Sequence, residues 1–149
     1  MRPILFLFPL LLCAASPPHL SLEALVAQSA AIVEGQVVRA WAAMDSENRF
    51  IWTHYEIKVS STLKGQADAS VVIAEPGGTL NGVSLLVPGS TPYTVGEKVS
   101  VFLYRTPIGY WRTTNYGQGK FAISNDPRVH SAFRSQVARI VATQQEALR

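Results

Sequence analysis

Cysteine is nearly absent: Cys13 stands alone in a chain of 149 residues. No intramolecular disulfide can form, and a cysteine-based zinc site has too few ligands. Charge is scarce too, with Asp, Glu, Lys and Arg making up 15% of the chain against roughly 25% in an average soluble domain. Beyond the first fifteen residues no segment approaches the roughly 18 uninterrupted apolar residues that a spanning helix needs. Only three histidines occur, His19, His54 and His130, and no two stand at a ligand spacing such as H-x-x-x-H. Short zinc motifs are thereby excluded, and a G-x-S-x-G nucleophile elbow is missing as well. What the chain does have is 48% hydrophobic residues, interrupted by 10 Gly and 9 Pro. That composition excludes disorder, collagen and coiled coil, and the length suits one domain with its own core.

The first residues have an addressing pattern. Arg2 precedes an apolar stretch over residues 4–12, followed by Cys13, Ala14, Ala15, Ser16, Pro17 and Pro18. One positive charge, a short apolar run and small residues before a proline-rich exit predict a signal peptide over residues 1–15, cleaved after Ala15. Nine helical residues rise about 13 Å, too little to cross a hydrocarbon core of roughly 30 Å. Cys13 opens an alternative, processing as a lipoprotein, although Leu12 stands where that processing wants a small residue. Cleavage after Ala15 leaves a cysteine-free domain over residues 16–149 with 12 basic and 10 acidic residues. So even a balance predicts no nucleic-acid partner, which would need a clustered basic stripe. Arg128, Arg134 and Arg139 are spaced to scatter around a helix, as solvated charges do.

Periodicity supplies the architecture. Residues 21–29 read as a short helix with Ser21 as N-cap and Glu23 in the first turn. Residues 31–42 are rich in Ile and Val, and Gly35 among them marks a bulge or tight bend. After a polar turn at 44–48, residues 50–63 alternate strictly. Ile51, Thr53, Tyr55, Ile57 and Val59 form the inward set, and Trp52, His54, Glu56, Lys58 and Ser60 the outward one. Further strands are expected over 70–75, 83–87, 97–104, 110–116 and 120–124, with a turn at 76–78 and loops at 92–96 and 117–119. Asp126 as N-cap and Pro127 at the first helical position start a last helix, whose apolar stripe is Val129, Phe133, Val137, Ile140 and Val141. The expected fold is mainly β: a small OB-like antiparallel β-barrel with a short N-terminal helix and a C-terminal amphipathic helix, favoured over an immunoglobulin-like sandwich.

The landmarks Ser29 to Val37, Leu63-Lys64-Gly65, Pro76-Gly77-Gly78, Tyr93 to Leu103 and Gly117-Gln118-Gly119-Lys120-Phe121 resemble a group of small exported bacterial proteins of uncharacterised function. The likeness spans about residues 29 to 123. More distantly, a glycine-containing first strand, a long Thr/Tyr strand and then Leu-Lys-Gly are similar to the netrin-like domain of tissue inhibitors of metalloproteinases, which implies an OB barrel. Those inhibitors set a disulfide-bonded N-terminal cysteine on the protease zinc, and the chain after residue 15 has no cysteine. The fold is implied by that resemblance; the zinc-chelating mechanism is not.

Residue chemistry leaves few candidates. His54 and Glu56 share the outward face of the long strand and could form a base and its orienter, yet no nucleophile is indicated beside them. Residues 117–120 offer a glycine-rich loop and a lysine, but the chain continues as a strand where a P-loop needs a helix. A bulged turn with glycines at positive φ is expected there instead. His19 and His130 read as solvated. More telling are Trp41, Phe50 and Trp52, aromatics on a face where solvation favours charge, flanked by Arg39, Arg49 and Lys58. They form either a partner surface of the kind OB barrels use or a second core layer under a terminal helix. The sequence therefore predicts an exported, non-enzymatic β-barrel protein, periplasmic or secreted, without cofactor or metal. Its partner would be a protein, an envelope component or a small molecule. The alternatives are a hydrolase using His54 and Glu56, and an inhibitor-like module that presents the loop at 88–92.

Overall fold

The computed structural model describes residues 17–149; the expected signal peptide over residues 1–15, its cleavage point and Cys13 lie outside the described residues. Ser21 caps the first helix, α1 (Leu22–Gln28), by accepting a hydrogen bond from the Ala24 N–H at 3.2 Å. Leu25 and Val26 are its buried residues. The ammonium of Lys64 donates to the Val26 carbonyl at the helix's C-terminal end, where a cation meets the negative pole of the backbone dipoles. Burial lowers the pKa of that lysine.

Two long strands follow, β1 (Ala31–Met44) and β2 (Ile51–Lys64), paired antiparallel. β2 alternates as its sequence predicts, with Ile51, Tyr55 and Ile57 buried and Trp52, His54 and Glu56 half-buried on the other face. The register shifts between Ile32 and Val33, between Glu34 and Gly35 and between Val37 and Arg39, and such bulges bend a ribbon and increase its twist. Gly35 stands at one of them. A Cβ there would lie 2.2 Å from the Lys58 carbonyl oxygen, so only glycine permits the approach.

β3 (Ser70–Pro76) pairs with β2, and β4 (Gly78–Leu80) with β5 (Val83–Leu85) makes a separate two-stranded hairpin. The sequence predicts only a turn at 76–78 and one strand at 83–87. Gly77 and Gly78 take φ of 93° and 133° there and lead the chain straight into another short strand. β6 (Lys98–Arg105) pairs with β1 along Ala31–Gln36 and, on its other edge, with β7 (Trp111–Thr113) and β8 (Lys120–Ala122). The pairings thus run β1, β2, β3, β7, β6 and back to β1.

Strand direction cannot alternate around an odd number of strands, so one neighbouring pair must be parallel. That pair is β3 with β7, joined by the single bridge Ile73 to Trp111. The expectation of a wholly antiparallel sheet is corrected there. A buried acid strengthens this seam: Glu75 of β3, 2% exposed, accepts from the Thr113 N–H at 3.1 Å and the Thr113 hydroxyl at 2.8 Å. It also accepts from the Thr91 N–H and the Arg112 guanidinium, each at 3.3 Å.

Two apolar clusters result. One lies inside the sheet and includes Val33, Val37, Tyr55, Ile57, Ile73, Tyr93, Val101 and Leu103. The other joins the sheet to both helices through Leu25, Val26, Ile32, Phe102, Val137 and Val141. The last helix, α2 (Pro127–Ala147), starts with Asp126 as N-cap and Pro127 in its first turn, as the sequence predicts. Its stripe is shorter than expected, because Val129 is 56% exposed. His130 and Arg134, read as solvated, instead grip Glu34, which is 2% exposed. The His130 Nε2 lies 2.8 Å and the Arg134 Nε 3.3 Å from its carboxyl oxygens. A buried acid on β1 needs such partners.

The segment 117–119 also differs from expectation. Asn115 and Tyr116 carry the positive φ, 48° and 59°, and residues Tyr116–Gly119 form a 3-10 turn. Gly119 is required for another reason, since a Cβ there would sit 2.5 Å from the Thr114 carbonyl oxygen.

Gly35→Ala is expected to destabilise the protein by about 3 kcal/mol, because the added methyl meets backbone on β2 that cannot swing aside. Urea unfolding measures this; an unchanged midpoint and slope would contradict the close approach.

Candidate functional site

The outward face of the β1–β2 ribbon has a row of rings. Register sets its first pair: Trp41 lies directly across from His54, and their rings stack 5.2 Å apart at 13°. The row continues from His54 to Tyr110 at 5.7 Å, from Tyr110 to Trp52 at 5.1 Å and from Trp52 to Phe50 at 5.6 Å. Edge-on and tilted contacts of this spacing suit the quadrupoles of the rings. Each of the five side chains is half-buried.

At one end the Arg39 guanidinium lies 4.2 Å from the centre of the Trp41 ring, and its Nε donates to Glu56 at 3.0 Å. At the other end, Asp45, Arg49, Phe50, Trp52, Pro76 and Ile108 line a hollow of about 490 Å³. Arg49 pairs there with Glu47, and Ile108 is 66% exposed. A larger groove, about 930 Å³, opens beside the parallel seam between His54, Val72, Ala74, Tyr110, Trp111 and Arg105. Arg105 lies 4.1 Å from the Trp111 ring centre and donates to the Gly109 carbonyl at 2.6 Å, which fixes the turn that carries Tyr110.

The three aromatic residues singled out from the sequence, Trp41, Phe50 and Trp52, therefore occupy one continuous row. Neither helix belongs to it, because α2 sets its own Phe133 against Phe121, which in turn meets Phe102, in the separate cluster between helices and sheet. Sequence reasoning missed Tyr110, which joins the two halves. It lies 58 positions beyond Trp52, and only the β6–β7 turn brings it there. Local pattern has no signal for such a contact.

The proposed base and orienter do not meet. Glu56 accepts from the Ser70 hydroxyl at 2.8 Å and from Arg39, and these partners, Ser70 first, hold its carboxyl below the usual range. The His54 ring instead stacks on Trp41 and meets Tyr110 in a perpendicular contact. Burial lowers its pKa below the ordinary 6.5, which favours the neutral imidazole. The loop at 88–92 is tied down by the Thr91 N–H bond to Glu75, and Thr91 is buried. Among the described residues no three His, Cys, Asp or Glu side chains gather where a cation could be held. His19 is bonded to Gln118 at 3.1 Å. Among the described residues, also, no helix is long and apolar enough to cross a membrane.

No protein-family model matches the chain, and no curated protein matches it.

His54 should titrate below pH 6.5, the value it has in the unfolded chain. Its contribution to stability is then complete above pH 6.5 and declines as pH falls below it, because the unfolded state takes up the proton first. Imidazole proton shifts followed by NMR from pH 8 to 5 check this; a midpoint at or above 6.5 would contradict the desolvated stack.

Proposed function

We propose that the protein is an exported, non-enzymatic binding module built on an OB-like barrel, which receives its partner on the aromatic row of β1 and β2. The carrying observation is the unbroken contact from Trp41 through His54, Tyr110 and Trp52 to Phe50 on a face that neither α1 nor α2 covers. Aromatic side chains and arginine are the groups that anchor interfaces most often, and the rings remove a large area from water with few rotamers to freeze. Their position supports the reading: OB folds take ligands on the outer face of strands 2 and 3, between the loop after strand 1 and the loop after strand 4. In this chain strand 2 supplies Trp52 and His54, and those loops, residues 45–50 and 106–110, supply Phe50 and Tyr110. The barrel itself is supported by the pairings that return from β6 to β1 and by the parallel β3–β7 seam.

The exported location rests on the pattern of residues 1–15, and the resemblance to small exported bacterial proteins agrees with it. A protein or cell-envelope component is the partner favoured by an open row of rings, because enclosed pockets, in which small ligands bury most of their surface, are concave and deep.

Replacing Trp52→Ala together with Phe50→Ala is expected to remove about 2 kcal/mol or more of binding free energy, about thirtyfold in affinity. Capture from periplasmic or culture extract with wild type and double variant compares the two, with thermal unfolding as the control for the fold. A folded double variant that retains the same partners would sink the proposal.

A further inference from the structure

β1 changes its situation midway. Residues Ala31–Gln36 pair with β6 on one edge and β2 on the other, and the Val37 N–H still donates to the Glu97 carbonyl. After the register shift between Val37 and Arg39 the strand continues to Met44 with β2 as its single hydrogen-bonded neighbour among the described residues; β4 touches the ribbon without pairing to β1. The direction of the free backbone groups follows from the ladder. The Asp45 N–H donates to the Phe50 carbonyl at 2.9 Å. Antiparallel pairs alternate between bonded and non-bonded, so Arg39, Trp41 and Ala43 turn their backbone groups toward β2. Ala40, Ala42 and Met44 turn theirs away.

Such an edge is normally guarded by proline, lysine, shortness or a covering loop. Residues 40–44 read Ala-Trp-Ala-Ala-Met, with no proline, no glycine and no charge. Ala40 and Met44 are exposed. The one neighbouring cation, Arg39, is drawn onto the outer face by Trp41 and Glu56 and leaves the edge open.

We infer that a second copy of this chain covers the edge, with β1 pairing antiparallel to β1 of its partner about a two-fold axis at Ala42. This register uses every free group, because Ala42 faces Ala42 and Ala40 faces Met44, each pair exchanging both backbone bonds. In the non-bonded positions, where side chains come closest, Trp41 faces the small Ala43. Arg39 faces Asp45, an opposite charge. The strand is thus complementary to itself in hydrogen bonding, size and sign, which an isologous contact requires. The dimer has one sheet running through both copies, with the two aromatic rows on the same face.

Sedimentation velocity over a wide concentration range tests this. Wild type is expected to sediment as a dimer at high concentration. Ala42→Pro removes an N–H that β2 does not use and is expected to leave a monomer with unchanged far-UV circular dichroism. If that variant does not fold, Ala42→Cys in a Cys13→Ser background decides the matter. The two-fold axis sets the new thiols against each other at a Cα separation of about 5.5 Å, within disulfide reach, so mild oxidation should yield a covalent dimer. Ala40→Cys, which faces Met44, should not. Three results would each overturn the inference: a wild type monomeric throughout, a dimer that survives Ala42→Pro, or no cross-link through position 42.

Discussion

Glu75 holds the sheet together where its backbone ladder is weakest. The parallel seam between β3 and β7 has one bridge, Ile73 to Trp111, and parallel pairing is the less stable kind per residue. Two residues along, the Glu75 carboxyl takes the place of a ladder by accepting from the main chain and side chain of Thr113. It reaches Thr91 and Arg112 from the same position. An unpartnered acid in such a place would cost several kcal/mol, of the order of 3–5 when one member of a buried pair is removed. The Thr91 bond also moors the chain between the β5 hairpin and β6. One side chain thus fixes the loop that enters β6 and the strand that leaves it.

That seam decides where the site is. β7 begins one residue after Tyr110, and the turn before it is held by Arg105 on the Gly109 carbonyl and by Thr106 with Tyr110. With β7 set against β3, Tyr110 comes down between Trp52 and His54, two rings that do not otherwise touch. Ala74, opposite His54 in register, is small enough to leave the groove beneath them. Helices take the other side of the molecule, where Glu34 answers Glu75 in kind: a buried acid on β1, gripped by His130 and Arg134, docks α2 on the sheet. Polar fasteners at both places define position, while the two apolar clusters provide most of the cohesion.

Much of this was legible in the residues because the physics is local. Period-two alternation in β2 reports which face meets the core, and Asp126 followed by Pro127 reports a helix start, whatever surrounds them. Gly35 is legible as a bend for the same reason. Glu34 and Glu75 were not, since a lone acid in an apolar strand carries no mark of the partners that arrive from 96 and 38 positions away. The same blindness made His130 and Arg134 read as solvated. Val129 fits the helix stripe by spacing, which reports a face and not how closely that face is covered. At the 3-10 turn, the glycines mark the bend in the sequence, whereas Asn115 and Tyr116 bear the left-handed backbone. Trp41, Phe50 and Trp52 stood out as aromatics on a polar face, but Tyr110 comes from a distant turn.

By holding β7 against β3, Glu75 positions Tyr110 and thereby joins the row of rings. Ring-to-ring nuclear Overhauser effects in wild type and in Glu75→Gln test this, since glutamine keeps the size but replaces one of the two acceptor oxygens by an amide donor, set against either the Thr113 or the Thr91 N–H. Tyr110 contacts to His54 and Trp52 are predicted to weaken or vanish in the variant, while contacts among Phe102, Phe121 and Phe133 persist. Tyr110 contacts that remain as strong as in wild type would contradict the account.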